Sequence, residues 1–229
     1  MSSKSIVGTG LISAVALLAF ILFSVGTVHA DLITAGDFES ITTANFTQTD
    51  LVAGNSSTYG SWHTQPANWI VAAGGPPGST QYAQHVQNTV RLFQGFDATG
   101  LASGTTLNFS FDYIYQQGFT GTEEMAWVLG LTNGDVVNVF APFATPGDQL
   151  VASSLSIQQN WTHFTTSFTL GASYDAIAVV FGMGAFSDLS GLRGVDNVKL
   201  AAVPEPATVL LLGSGLVGLV GFGRKRFKK

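Results

Sequence analysis

The 229-residue chain contains no cysteine. Disulfide stapling and thiolate metal sites are therefore excluded, and a packed core or a bound ion must hold the fold together. Cations are scarce as well. Residues 31–202 carry thirteen acids against only Arg91, Arg193 and Lys199, a net charge of −10, whereas the whole chain stands at −5. A surface of that sign repels nucleic acid and anionic surfaces, so nucleic acid is not an expected partner. A sustained helical period is missing between residues 31 and 202. So are the common catalytic signatures. There is no H-E-x-x-H and no G-x-S-x-G, and His63, His85 and His163 lack metal-ligand spacing. Glu123 and Glu124 are adjacent, so on a strand they point to opposite faces. One G-x-G-x-x-G string, residues 213–218, lies in an apolar tail with no strand before it, which excludes a dinucleotide site there.

What is present begins with two addressing segments. At the front, Lys4 gives a short positive region, residues 11–25 are apolar apart from Ser13 and Ser24, and Val28-His29-Ala30 is a small-x-small cleavage site. That pattern is a secretory signal peptide over residues 1–30. At the back, Pro204-Glu205-Pro206 is a stiff extended tripeptide, because proline fixes its own φ and biases its predecessor away from helix. Residues 207–222 follow without a charge, and then Arg224, Lys225, Arg226, Lys228 and Lys229. An apolar helix ending in a cationic cluster is a membrane stop with the positive end in the cytoplasm. Sixteen residues rise roughly 24 Å, a little short of the ~30 Å hydrocarbon core, so the anchor is weak or transient.

Between these ends, residues 31–202 form a segment sized for one domain, and the pattern is β nearly throughout. Residues 107–115 alternate strictly, with Phe109, Phe111, Tyr113 and Tyr115 on one face. Residues 162–170 alternate again, Phe164, Phe168 and Leu170 against His163, Thr165 and Ser167. Residues 127–132 and 136–140 flank Asn133-Gly134 and predict a hairpin. Residues 90–96, 176–181 and 195–200 are further strand candidates. Short strands separated by turn-rich stretches such as 73–78 predict an all-β antiparallel sandwich of jelly-roll type, with a signal helix before it and a transmembrane helix after it.

The tail resembles the PEP-CTERM sorting signal of Gram-negative bacteria, on Pro204, Glu205, Pro206, the Leu/Gly-rich span and the Arg/Lys end. The resemblance implies recognition by exosortase, a membrane transpeptidase, and delivery to the outer surface or to secreted exopolysaccharide. Residues 31–202 resemble the carbohydrate-binding-module-like, galactose-binding-like jelly rolls. The matching passages are residues 32–39 as an opening strand, Asn68-Trp69, residues 91–96 with 104–112, Asn160-Trp161, and residues 194–198 at the close. In such proteins the opening and closing strands often share a structural calcium. The resemblance places it at Glu39 and Asp196, with Asp37 as a further candidate. It also implies that Trp69 and Trp161 are buried. Sugar recognition needs exposed aromatics beside polar groups. Tyr59 and Trp62, in the polar segment 55–63, are the expected ligand-binding pair, ahead of Tyr82, Trp127, Tyr113 and Tyr115. The sequence thus predicts a non-enzymatic, exported surface or matrix protein, structural or weakly polysaccharide-binding. The alternative is a hydrolase or lyase acting on exopolysaccharide, which would need carboxylates such as Asp112, Glu123, Glu124 and Asp135 to converge.

Overall fold

A computed structural model describes residues 31–65, 68–86, 91–116, 124–138, 147–183 and 192–203. The predicted signal helix, the predicted membrane helix and the Pro204-Glu205-Pro206 motif lie outside the described residues. So does Glu123.

Eleven strands are described: β1 (Leu51–Val52), β2 (Trp69–Ala73), β3 (Gln81–His85), β4 (Leu92–Asp97), β5 (Thr106–Tyr115), β6 (Glu124–Leu131), β7 (Val136–Val137), β8 (Asp148–Leu155), β9 (Gln158–Thr169), β10 (Ala176–Met183) and β11 (Arg193–Ala202). Two antiparallel sheets face each other, a four-stranded one in the order β4-β10-β6-β8 and a five-stranded one in the order β2-β3-β11-β5-β9. From β3 onward the chain crosses between the sheets at almost every step, the alternation expected of a jelly roll. The only helical elements described are two 3-10 turns, Thr43–Asn45 and Ser56–Thr58. No helix among the described residues is long and apolar enough to cross a membrane.

The alternation in β5 and β9 does what its period requires. Phe109, Phe111, Tyr113 and Tyr115 point into the space between the sheets, where they are buried. Phe111 stacks on Phe164 of β9 at 4.8 Å and meets Phe181 of β10 edge-on at 5.0 Å. β10 reads differently, because both its faces are buried. Ile177, Val179 and Phe181 join the inter-sheet core. Ala176, Ala178 and Val180 join a second cluster with Leu51, Phe93, Leu129, Leu131 and Val137. That second cluster is the outer face of the four-stranded sheet. It is roofed by the β1–β7 ribbon, in which Leu51 lies opposite Val137. Gly95 leaves room for the roof, since a Cβ there would come within 2.5 Å of Leu51 Cδ1.

Two expectations are corrected. The hairpin at Asn133-Gly134 is not a ladder between β6 and β7. The turn is there, with the Asp135 carboxylate accepting from the Thr132 N–H at 2.8 Å and Gly134 at φ 93°. However, β6 already has β10 on one side and β8 on the other. No edge is left for β7, so it pairs with β1 instead. Residues 32–39 are likewise not an opening strand. Ala35 and Phe38 adopt φ of 48° and 54°, in the left-handed region, which breaks an extended run. The segment wraps over the sandwich in turns, held by Leu32 N–H to Leu200 O at 2.8 Å and Val198 N–H to Gly36 O at 2.9 Å. Buried Gln94 pins it again, accepting from Thr34 N–H at 2.6 Å and donating to Thr34 O at 2.9 Å.

Candidate functional site

Among the described residues, no ribbon comparable to β1–β7 lies over the β9 side of the five-stranded sheet's outer face, whereas Tyr82, Ile114 and Asp196 on the same face are buried. The sheet's register sets what that face displays. Asp196 of β11 lies opposite Asp112 of β5, and Asp112 lies opposite His163 of β9. These three therefore form a row across neighbouring strands on one face. The Asp112 carboxylate accepts from His163 Nδ1 at 2.7 Å through Oδ1, and from Asn197 Nδ2 at 2.8 Å through Oδ2. A carboxylate can only accept, so the His163 proton sits on Nδ1. Nε2 is left to face solvent on a side chain that is 59% exposed. Asn197 reaches Asp112 because it sits in a β-bulge with φ 50°, where the register of β11 shifts between Asp196 and Lys199.

One aromatic lies on this face two residues before His163, about 7 Å along the strand. Trp161 is half-buried and not part of the core, contrary to what the resemblance implies. Tyr82 of β3 meets it edge-on, ring centroids 5.2 Å apart. Tyr82 can span the sheet because Gly194 of β11 lies beneath it: a Cβ at Gly194 would come within 2.5 Å of the Tyr82 ring. Tyr82 is buried, and burial raises its phenol above the ordinary value. It acts as the buttress and Trp161 as the presented ring. The parity of β9 carries a sequence signal for this. Trp161 shares the odd-numbered set with His163, Thr165 and Ser167, the polar face.

The expected pair is placed otherwise. Trp62 is 2% exposed, packed against Phe38 at 5.0 Å, with its indole N–H donating to Ala35 O at 3.1 Å. It belongs to the core and offers no ring face to a sugar. Tyr59 is half-buried against the second cluster, and its hydroxyl accepts from Gly54 N–H at 2.8 Å. Trp69 is buried as expected, in contact with His85 at 4.8 Å.

The proposed metal residues are only partly brought together. Asp37 is exposed, and its Oδ1 accepts from the Glu39 N–H at 3.3 Å. It lines a shallow groove of about 170 Å³ with Asp31, Asn197 and Lys199, apart from the other two. Glu39 clamps the start of β3, accepting from Thr80 N–H at 2.6 Å, Gln81 N–H at 3.1 Å and the Thr80 hydroxyl. The Thr80 hydroxyl and these N–H groups hold its carboxyl below the usual range. Asp196 is fully buried, and its Oδ2 has no hydrogen-bond partner. Its carboxyl is pushed up to about 6, chiefly by burial, with Glu39 and Asp112 adding to it while the Ser79 hydroxyl and Asn197 N–H act in the other direction. Gly75, at φ 130°, packs closely beside this oxygen. A Cβ there would come within 2.9 Å of Ser79 Cβ, 3.2 Å of the Gln81 carbonyl oxygen and 3.3 Å of Asp196 Oδ2. Among the described residues no group of three or more His, Asp or Glu side chains gathers into a metal cluster.

The carboxylates that catalysis would need do not converge where they are described. Asp112 stands on the outer face of the five-stranded sheet, and Asp135 caps the turn after β6 in the other sheet.

Comparison with known proteins identifies the tail. Residues 202–226 match the PEP-CTERM protein-sorting motif. The motif implies export to the cell surface and processing by exosortase, a membrane enzyme. No curated protein matches the chain. Among solved structures, a carbohydrate-binding module, CBM4, is similar at 17% identity and TM-score 0.45, over 75% of this chain and 99% of the module. A Stig cyclase, Fisc from Fischerella sp. TAU, is similar at 16% identity and TM-score 0.49, over 77% of this chain and 98% of the cyclase. The enzymatically active domain of bacteriophage CBA120 tailspike protein 4 is similar at 12% identity and TM-score 0.49, over 76% of this chain. This chain spans about a fifth of that tailspike, 21%. A binding module and two catalytic proteins stand side by side here, so the likeness does not separate the two activities.

Proposed function

We propose that this is a non-enzymatic surface or exopolysaccharide-matrix protein of a Gram-negative bacterium, whose domain binds a polysaccharide on the outer face of the five-stranded sheet. The chain divides into a signal peptide (1–30), the sandwich (31–202) and the sorting tail (203–229), in which Pro204, Glu205 and Pro206 are the element that exosortase reads. The observation that carries the binding half is the row of half-buried Trp161 and exposed His163 on the outer face of β9, with Tyr82 fixing the ring and Asp112 fixing the imidazole. A sugar ring stacks on an indole face, and its hydroxyls can donate to His163 Nε2 and pair with Thr165. Asp112 takes no part in the contact. It orients His163, as Asn197 orients Asp112.

The same reading places a structural calcium at Asp196, with the Gln81 carbonyl oxygen beside it and Glu39 supplying nearby charge. Such an ion would compensate the unpaired Asp196 oxygen and tie β11 to the turn before β3, in a chain that has no disulfide. Two experiments test these halves separately. Affinity electrophoresis of the full chain through gels containing a neutral glucan, xylan or alginate is expected to show retardation by at least one of them. Uniform mobility in every gel would leave only the exported structural role. Thermal melting with calcium and with chelator is expected to differ by several degrees in the native chain and by much less in Glu39→Gln. Superimposable melts would remove the ion.

A further inference from the structure

We propose that the free edge of β9 is a docking strand for a second copy of this chain, paired antiparallel about a two-fold axis at Thr165. An edge strand presents a row of unpaired backbone N–H and C=O groups, and proteins usually blunt such edges with charge, proline, bulges or a covering segment. Two other edges of this sandwich are covered in that way. On β2, the Val71 N–H is taken by Thr43 Oγ1 at 2.9 Å. On β4, Phe93 exchanges both backbone bonds with His63 at 2.8 and 3.0 Å, and Gly60 N–H bonds Gly95 O at 2.9 Å.

β9 has no such cover among the described residues. It is the longest strand described, twelve residues, and contains no Asp, Glu, Lys, Arg, Pro or Gly. Its orientation follows from its end, where Leu170 N–H bonds Thr105 O and Leu170 O accepts from Gly104 N–H, both at about the usual length. By alternation, Thr162, Phe164, Thr166 and Phe168 exchange bonds with β5. The backbone groups of His163, Thr165, Ser167 and Thr169 point away from the sheet. Phe164 and Phe168 pack toward the core, which fixes the strand against slipping.

The occupant follows from charge and self-complementarity. Two copies of a domain with net charge −10 repel each other over most of their surface. The β9 edge is a long strip where neither copy brings a charged carboxylate or ammonium. A two-fold axis at Thr165 sets Thr165 against Thr165 and His163 against Ser167. Every outward-pointing residue then meets another outward-pointing residue, as a hydrogen-bonded antiparallel pair demands. Thr–Thr neighbours across strands are favourable pairs. The result would be one continuous ten-stranded sheet through two copies, with its polar outer face, including both Trp161 rings, uninterrupted.

The chain has no cysteine, so a single introduced one reports the contact without background. Thr165→Cys, expressed as the full chain in an oxidising envelope, is expected to run mostly as a disulfide-linked dimer on non-reducing gels. Paired Cα atoms in such a ladder lie about 5.5 Å apart, within disulfide reach. Ala102→Cys, exposed on the turn before β5 and not on the β9 edge itself, is the control for crowding and should stay monomeric. The double change Thr165→Lys/Ser167→Lys should convert a dimer to a monomer in sedimentation of the detergent-solubilised full chain, with its melting temperature nearly unchanged. A monomeric Thr165→Cys, or equal cross-linking at Ala102→Cys, would overturn the proposal.

Discussion

The two sheets of this sandwich differ in what lies on their outer faces. The four-stranded sheet is buried on both sides at β4 and β10, though not at its edge strand β8, and β10 is apolar in both parities, with Ile177, Val179 and Phe181 inward and Ala176, Ala178 and Val180 under the β1–β7 roof. The outer face of the five-stranded sheet is buried toward β3 and β11, at Tyr82, Ile114 and Asp196, and exposed along β9. Its strand β9 alternates Phe164 and Phe168 inward with His163, Thr165 and Ser167 outward. A continuous apolar run therefore marks a strand that is structural on both sides, and a clean alternation marks one with a face to spare. The roof makes the first sheet a stability element. The second sheet's outer face holds the oriented His163, the buttressed Trp161 and the buried Asp196.

That contrast can be broken most forcefully from inside. Phe111 is fully buried between the sheets and touches Phe109, Phe164 and Phe181. Phe111→Ala is expected to cost about 3–5 kcal/mol in chemical denaturation, the range for a large aromatic removed from a close-packed core. Trp161→Ala, on the outer face of β9, should cost far less. Equal losses would mean that Trp161 is part of the core after all.

Next in size is the charge at Asp196. Its carboxyl is raised to about 6 in the folded chain from an ordinary value near 3.8. The folded state therefore binds the proton more tightly than the unfolded state. The group's contribution to stability is fully present below about pH 4 and is lost as pH rises toward 6, which amounts to on the order of 3 kcal/mol at neutral pH. Without calcium, Asp196→Asn is expected to be more stable than the native chain at pH 7 and no more stable at pH 4. Calcium should reverse the order at pH 7, because the bound ion rewards the charged form. Denaturation curves at the two pH values, with calcium and with chelator, check this. A native chain indifferent to both pH and calcium would return Asp196 to a purely structural role. Glu39 and Asp97 carry the opposite sign. Their carboxyls are lowered by hydrogen bonds from Thr80 and Thr99, so what they contribute is lost as pH falls through those lowered values.

Much of this architecture is legible in the sequence, and the failures have physical causes. β5, β9, β10 and β11 announce themselves because aromatic and branched residues sit at the right period. β2, β3 and β8 do not. Gln81–His85 and Asp148–Leu155 are rich in Gln, Ala and Ser, and their extended form comes from neighbours that pair with them. Asn133-Gly134 codes for a turn and makes one, yet a local signal cannot report that both edges of β6 are occupied. At the site, Asp196 and Glu39 are found near each other as the resemblance implies, while Asp37 faces another groove. Trp62 was expected at the surface because its neighbours in sequence are polar. Those polar neighbours belong to a wrapping segment whose inner side is Trp62 itself. Trp161 was expected inside, although its parity with His163 and Thr165 already pointed outward.

The binding face is located by two single variants in affinity electrophoresis, through a gel containing whichever polysaccharide retards the native chain. Trp161→Ala removes the presented ring of the five-stranded sheet's outer face, and Tyr59→Ala removes the aromatic that the sequence alone favours, on the other sheet. Trp161→Ala is expected to weaken retardation by about tenfold or more, the equivalent of ~1.4 kcal/mol, and Tyr59→Ala to migrate like the native chain. Retardation kept by Trp161→Ala and lost by Tyr59→Ala would contradict this placement and move the binding face to the roofed sheet.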